Sequence, residues 1–352
     1  MKVRNVSFDY AKGIGIVVVV FAHLWRGLQG AGLLSMPETD FFAISSSCTV
    51  WSMPAFFFVS GVLYGRGLDK RHGLPELAGK FDGIFYPYVI WSLIVGAFEV
   101  LGSGYRNGST SVSSLLTILW EPRGIFWFLY ALFEAFVLVE VMVFLVGVTK
   151  ARWLVVPVAV LLLLLWEPRQ LPFSLSEFQM SFIYFAVGVL IAPRMQMDQR
   201  VSWPMALTAG AALIGILYLS HVVFGIRTAS FRSVTPNATA VALLVLGVFL
   251  LFCYSLPRMK LEWLARLGER SMDVYLLHLL LIAPIRIVMQ KIFHVENPII
   301  YMALGLPFGI LGALFMADAL KKIKLGFLFS PPAALSLKAR LTSRRAALQI
   351  PR

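Results

Sequence analysis

The sequence predicts an all-α membrane protein, a bundle of about ten transmembrane helices with both termini in the cytoplasm. Three observations carry that expectation. The 352-residue chain is 59% hydrophobic and only 14% charged, where an ordinary soluble protein has about 25% charged residues, and its mean hydropathy is +0.80. Apolar runs recur at the length that crosses a bilayer, about 20 residues at about 1.5 Å of rise each. Most of the 31 lysines and arginines fall in alternate connections, the bias that marks cytoplasmic loops.

The first run, residues 10–32, follows a basic N-terminus but carries His23 and Arg26 and has no small-residue cleavage site. It reads as a retained helix, not a signal peptide. Further runs lie at 48–66, 84–103, 125–148, 152–167, 178–193, 203–224, 238–256, 272–292 and 298–318; the fifth and sixth are near the lower limit of a span. One side of the membrane collects Lys2, Arg4, Lys12, Arg66, Lys70, Arg71, Lys80, Lys150, Arg152, Arg194, Arg200, Arg258, Lys260, Arg266, Arg270 and the tail from Lys321 to Arg352. The other side has Arg26, Arg106, Arg123, Arg169, Arg227, Arg232 and Lys291, so the N-terminus is expected in the cytoplasm and the helix count even. Connections are short, and only 33–47 and 104–124 are long enough to shape an outer vestibule. The organisation expected is one transmembrane domain, residues 1–330, and a basic cytoplasmic tail, residues 331–352, suited to anionic headgroups.

Composition also excludes classes. The net charge of +13 comes in short groups between apolar runs, which topology explains without nucleic acid as a partner. Cys48 and Cys253 lie inside apolar runs and are too few for a disulfide framework or a metal site, so no metal is expected. No Walker loop, dinucleotide fingerprint, HExxH or GxSxG is present, which removes a nucleotide-driven pump and a standard serine hydrolase. Asn107-Gly108-Ser109 and Asn237-Ala238-Thr239 fit a glycosylation pattern too short to carry weight.

A polar side chain in hydrocarbon costs about 2 to 3.5 kcal/mol on insertion scales, so each one needs a partner, a cavity or a function. His23, in VVVVFAHLWRGL, is the clearest case: its imidazole can serve as a base near neutral pH, or it can hydrogen-bond a neighbouring helix. Lys12 stands eleven residues earlier on nearly the same helical face, about 16 Å along the axis. The pair suits an anionic substrate entering from the cytosol; equally, Lys12 can reach the interface with Asp9 as its partner. Ser271, Tyr275 and His278 fall at i, i+4 and i+7, one face of a helix, where they position substrate or join helices. Glu99, Glu134 and Glu140 lie in apolar runs, and spacing assigns them no role.

Read in order, FDYAKGIGIVVVVFAH, WSMPAFFFVSGVLYGR, FYPYVIW, FWFLYAL, YFAVGVL and LGERSMDVYLLHL resemble the acyltransferase-3 family of integral membrane O-acyltransferases, its fucose O-acetylase and exopolysaccharide branch most of all. The basic-x10-His pattern of Lys12 and His23 is the family's signature; arginine is commoner at the first position, and lysine keeps the charge without bidentate phosphate binding. The resemblance implies transfer of an acyl group, usually acetyl, from cytoplasmic acetyl-CoA or another acyl-CoA to a hydroxyl of a carbohydrate acceptor: polysaccharide, lipopolysaccharide or glycolipid. It implies the bacterial cytoplasmic (inner) membrane and contact with membrane lipid. His23 is implied as the catalytic base, and Lys12 with Arg66, Arg71 and Lys80 as donor contacts, although the loop after the second run lacks the family's paired arginines. Asp9, Arg26, Tyr275 and His278 are expected along the substrate path. The rival classes are a transporter or flippase of a glycan or lipid using the same buried polar groups, and a scaffold for envelope assembly.

Overall fold

The computed structural model describes residues 6–101, 116–122, 124–166, 172–195, 202–222, 236–256 and 261–348. Within them the chain is helical, with no strand. Its helices are α1 (Val6–Gly30), α2 (Glu38–Gly65), α3 (Leu74–Lys80), α4 (Tyr86–Leu101), α5 (Trp127–Leu164), α6 (Leu175–Ile191), α7 (Trp203–Val222), α8 (Pro236–Ser255), α9 (Glu262–Glu269), α10 (Ser271–Lys291), α11 (Pro298–Lys322) and α12 (Leu337–Leu348). Among the described residues, seven helical stretches are long and apolar enough to cross a membrane, and α7 and α8 supply two shorter apolar helices. Large apolar side chains stand open on the surface, Phe144 at 88% and Phe315 at 76% exposure. Water would reject such a surface and lipid accepts it; this is a multi-pass membrane protein.

Three elements differ from the sequence expectation. The runs at 125–148 and 152–167 join as the single stretch Gly124–Leu164, broken at Gly147 (φ 80°, ψ 161°), a conformation glycine alone tolerates. Residues 38–47, expected in an outer loop, are the first turns of α2: Ser46 and Thr49 hydroxyls donate to the Phe42 and Ser45 carbonyls, satisfying within the helix the polar groups that mask it from a hydropathy reading. The connection after α2 contains α3, which runs through a π-turn, Phe81–Phe85, into α4. The connection at 104–124 lies mostly outside the described residues, as do Lys2, Arg4, Arg106, Arg123, Arg169, Arg200, Arg227, Arg232, Arg258 and Lys260.

The chain forms two compact units, Met1–Val59 with Met195–Asp318, and Ser60–Arg194 with Ala319–Arg352. In the first, α1 is the central post. The short α9 runs back along its N-terminal half, Gly268 pressed on the Asp9 backbone. Then α10 follows α1 toward its C-terminal end, His278 beside His23 and Gln290 bonded to the Ala31 carbonyl. Antiparallel to both lies α11, where a Cβ added at Gly309 would stand 2.6 Å from Ile282 Cγ2 and 3.0 Å from Val20 Cγ1. Small residues permit that approach, and in lipid such packing is what joins helices. A bidentate pair fixes the inner end: Arg270 binds both Asp318 oxygens (2.6 and 3.0 Å) and also Asp273 (3.2 Å) and the Leu314 carbonyl, and Asp318, then Asp273, hold the guanidinium above its ordinary pKa.

The second unit pairs α5 with α6 around the rings of Tyr64, Phe136 and Phe185, each 5.0 to 6.0 Å from the next. Asp82 caps the tail helix α12 from outside, accepting from the Leu337 and Lys338 amides and from Ser336 Oγ, so the described part of the tail is anchored at its helix N-terminus.

Gly309→Leu should destabilise the protein by about 1 to 3 kcal/mol through overpacking against α10 and α1. Thermal unfolding in detergent measures it, with Gly215→Ala, where nothing lies within 4 Å of an added Cβ, as the unchanged control.

Candidate functional site

In the first unit the polar residues of α1 and α10 meet. His23 is half-buried in the C-terminal half of α1, and its ring centre lies 5.3 Å from that of His278, the planes inclined by 42°. His278 is fully buried. Its Nδ1 lies 3.0 Å from the Val274 carbonyl oxygen and 2.9 Å from that of Tyr275. A carbonyl only accepts, so the proton sits on Nδ1 and the lone pair on Nε2. That Nε2 has no hydrogen-bond partner among the described residues. Tyr275 is buried beside it, ring centres 6.3 Å apart. The 271/275/278 spacing therefore delivers an interior face, with Ser271 buried at its start.

One turn outward from His23 is Arg26, half-buried, its Nε without a hydrogen-bond partner among the described residues. Beyond it a Cβ added at Gly27 would stand 3.9 Å from Arg286 Cδ, and Arg286 donates to Gln290 (3.4 Å). One turn inward the same stripe turns apolar: Val19 and Ile16 are buried. Lys12 closes the inner end, paired with Asp9 at 2.9 Å. Of the two readings of Lys12, the structure contains the carboxylate partnership; His23 and Lys12 share a face but are separated by packed aliphatic side chains.

The other basic residues expected at the donor belong to the second unit. Arg66, Lys70 and Arg71 are exposed on the turn after α2; the Lys70 and Arg71 amides close it on the Gly67 carbonyl, and a Cβ at Gly67 would stand 2.6 Å from Arg71 Nη2. Lys80 is held between the Glu76 carboxylate (3.2 Å) and the rings of Phe136 (4.7 Å) and Tyr64 (5.7 Å), the geometry of a cation over aromatic faces. Spacing could not show what shapes this turn. Glu140 accepts from Tyr64 Oη and from the Gly73 amide, each at 2.6 Å; Arg152 binds Asp69 at 2.9 Å and the Gly65 carbonyl at 3.3 Å, and its hydrogen bond holds the exposed Asp69 carboxyl below the usual carboxylate range. The available signal was a lone glutamate in a strongly apolar run, without its partner. Glu134 has one oxygen, Oε2, without a hydrogen-bond partner among the described residues. Among those residues no group of three or more His, Cys, Asp or Glu is placed to hold a metal.

A protein family described as an acyltransferase domain, acyltransferase-3, matches residues 5–318. The nodulation protein NolL of Mesorhizobium japonicum is 28% identical over 142 residues, 40% of this chain and 36% of its own length. NolL of Sinorhizobium fredii is 24% identical over 195 residues, 54% of this chain and 49% of its own. The matched part thus spans between about a third and half of the length of these relatives. No solved structure matches the chain.

The Glu140 anchor predicts strong coupling in a double-mutant cycle of Tyr64→Phe and Glu140→Gln. The expected coupling energy in unfolding is about 1 to 3 kcal/mol, the range for a buried hydrogen bond to a charged acceptor.

Proposed function

The chain belongs to the acyltransferase-3 family, and from that premise we propose that it moves an acyl group, acetyl as the first candidate, from cytoplasmic acyl-CoA to a hydroxyl of a surface or exported glycan, with His23 as general base. The observation that carries this reading is an imidazole inside a membrane span, set against a second imidazole and with no carboxylate in hydrogen-bond contact with either among the described residues. We place the ten apolar runs as ten spans, both termini in the cytoplasm of a bacterial inner membrane, on the strength of the lysine and arginine bias.

The chemistry suits such a site. A thioester is already activated, so the protein has to bring it to an alcohol, accept a proton and keep water out; a positioned base contributes about 10²- to 10⁴-fold. His23 takes the hydroxyl proton as the oxygen attacks the acyl carbon. The carbon–sulfur bond breaks, and the proton passes from His23 to the departing thiolate. Arg26, one turn outward and cationic, offers donors to the oxygens of the acceptor. Lys12 at the N-terminal end of α1 and, taken separately, the basic group Arg66, Arg71 and Lys80 each offer positive charge that would attract the phosphates of the donor. Lys12 would do so with Asp9 already beside it, which makes it the weaker anchor of the set.

The test is CoA release by the purified protein in lipid bilayers with acetyl-CoA and a crude surface-glycan acceptor. Wild type should turn over in an acceptor-dependent way, and His23→Ala should lose at least about 100-fold while unfolding at the same temperature. Replacing Arg66 and Arg71 together by Gln should raise KM for acetyl-CoA several-fold and leave kcat close to wild type. Equal turnover by His23→Ala would remove the base from α1; no CoA release from any donor would favour a glycan or lipid transporter.

A further inference from the structure

We propose that His278 is the positioning residue for His23: its Nε2 lone pair accepts a hydrogen bond from a ring N–H of His23, so that the other His23 nitrogen faces the acceptor hydroxyl with its lone pair free. The inference rests on the assignment of His23 as base and adds the group that prepares it. Four observations carry it. The two Nδ1 contacts to the Val274 and Tyr275 carbonyls lock the ring of His278 and its proton. Nε2 is left as a pure acceptor, in a side chain with no exposed surface and without a partner among the described residues. An unmet acceptor in such a place costs about 1 to 3 kcal/mol, so it calls for an occupant. The His23 ring is 5.3 Å away centre to centre and does not bond Nε2 as it stands; that is close to the separation of two imidazoles joined by one hydrogen bond of about 3 Å, so the bond needs only a turn of the His23 ring.

The role is that of a carboxylate beside a catalytic histidine, filled by a neutral ring. A carboxylate in the span would carry its own desolvation cost and would trap the proton on His23. A neutral imidazole fixes the tautomer and shares the imidazolium N–H once His23 has taken the proton, yet lets that proton leave for the thiolate. No proton ends on His278 in the cycle, because its Nε2 only accepts a hydrogen bond. Tyr275 lies one turn before His278 on α10, ring centres 6.3 Å apart.

Two variants and two readouts test this. His278→Leu keeps bulk but removes the acceptor; His278→Gln puts an amide oxygen near the position of Nε2. For turnover, His278→Leu should lower kcat about 100-fold with KM for both substrates within about twofold and an unchanged unfolding temperature, and His278→Gln should recover at least about a tenth of wild-type kcat. The second readout needs no activity: ¹⁵N spectra of histidine-labelled protein in bilayers, simple because the chain has 5 histidines. In wild type His278 should carry its proton on Nδ1 and His23 on a single nitrogen, and in His278→Leu the His23 signals should move to a mixture of tautomers. An unchanged His23 spectrum in His278→Leu overturns the proposal, as does equal loss of turnover by the Leu and Gln variants. If wild type transfers nothing while the spectra show the coupling, the acyl-transfer reading fails and the histidine pairing stands.

Discussion

Everything at the candidate site depends on helices closing on α1 without a hydrophobic force to push them together. Lipid tails are as apolar as leucine, so association in the bilayer relies on close backbone approach and on polar contacts that lipid cannot replace. Gly268 against Asp9 and Gly309 between Ile282 and Val20 provide the approach; the Arg270–Asp318 pair provides the polar lock at the inner end. With both ends of the α9–α10 segment so registered on α1, His278 falls beside His23. A shift of one residue along α10 would turn that face by about 100° and part the rings.

Charge within the spans separates structure from function. Arg270 is matched by two aspartates, Lys12 by Asp9, Glu140 by a phenol and an amide, and Arg152 by Asp69. Each of these groups has its desolvation offset by a partner, as a membrane interior demands. His278 Nε2 on α10 and Arg26 Nε on α1 are among the buried polar atoms that lack one among the described residues. Unmet hydrogen-bonding capacity beside a base is what an acceptor rich in hydroxyls can fill. On the proposed function, the same stripe is the place of chemistry and not ordinary interhelical glue.

Much of this was legible in the sequence because hydropathy and helical period are local properties. The apolar runs all lie in or across helices where described, and the 271/275/278 spacing gave the interior face of α10. The meeting of His23 with His278 was not legible, since 255 residues of chain separate them and nothing in either segment states its neighbour. The start of α2 was hidden because polar residues there lower hydropathy, among them Ser46, whose hydroxyl bonds back into its own helix. The break at Gly147 was hidden because an apolar run looks the same whether one helix or two cross it. Glu140 was visible as an anomaly, but Tyr64 and Gly73, its reasons for being there, lie in a different part of the chain.

The most direct test of the account is acyl transfer with donor and acceptor on opposite faces of sealed vesicles. Protein reconstituted with a defined orientation should acylate a membrane-impermeant glycan on the outer face from acetyl-CoA confined to the cytoplasmic face, and His23→Ala should not. Transfer only when both substrates share one face, or transfer unaffected by loss of His23, would contradict a base within the span at which the two meet.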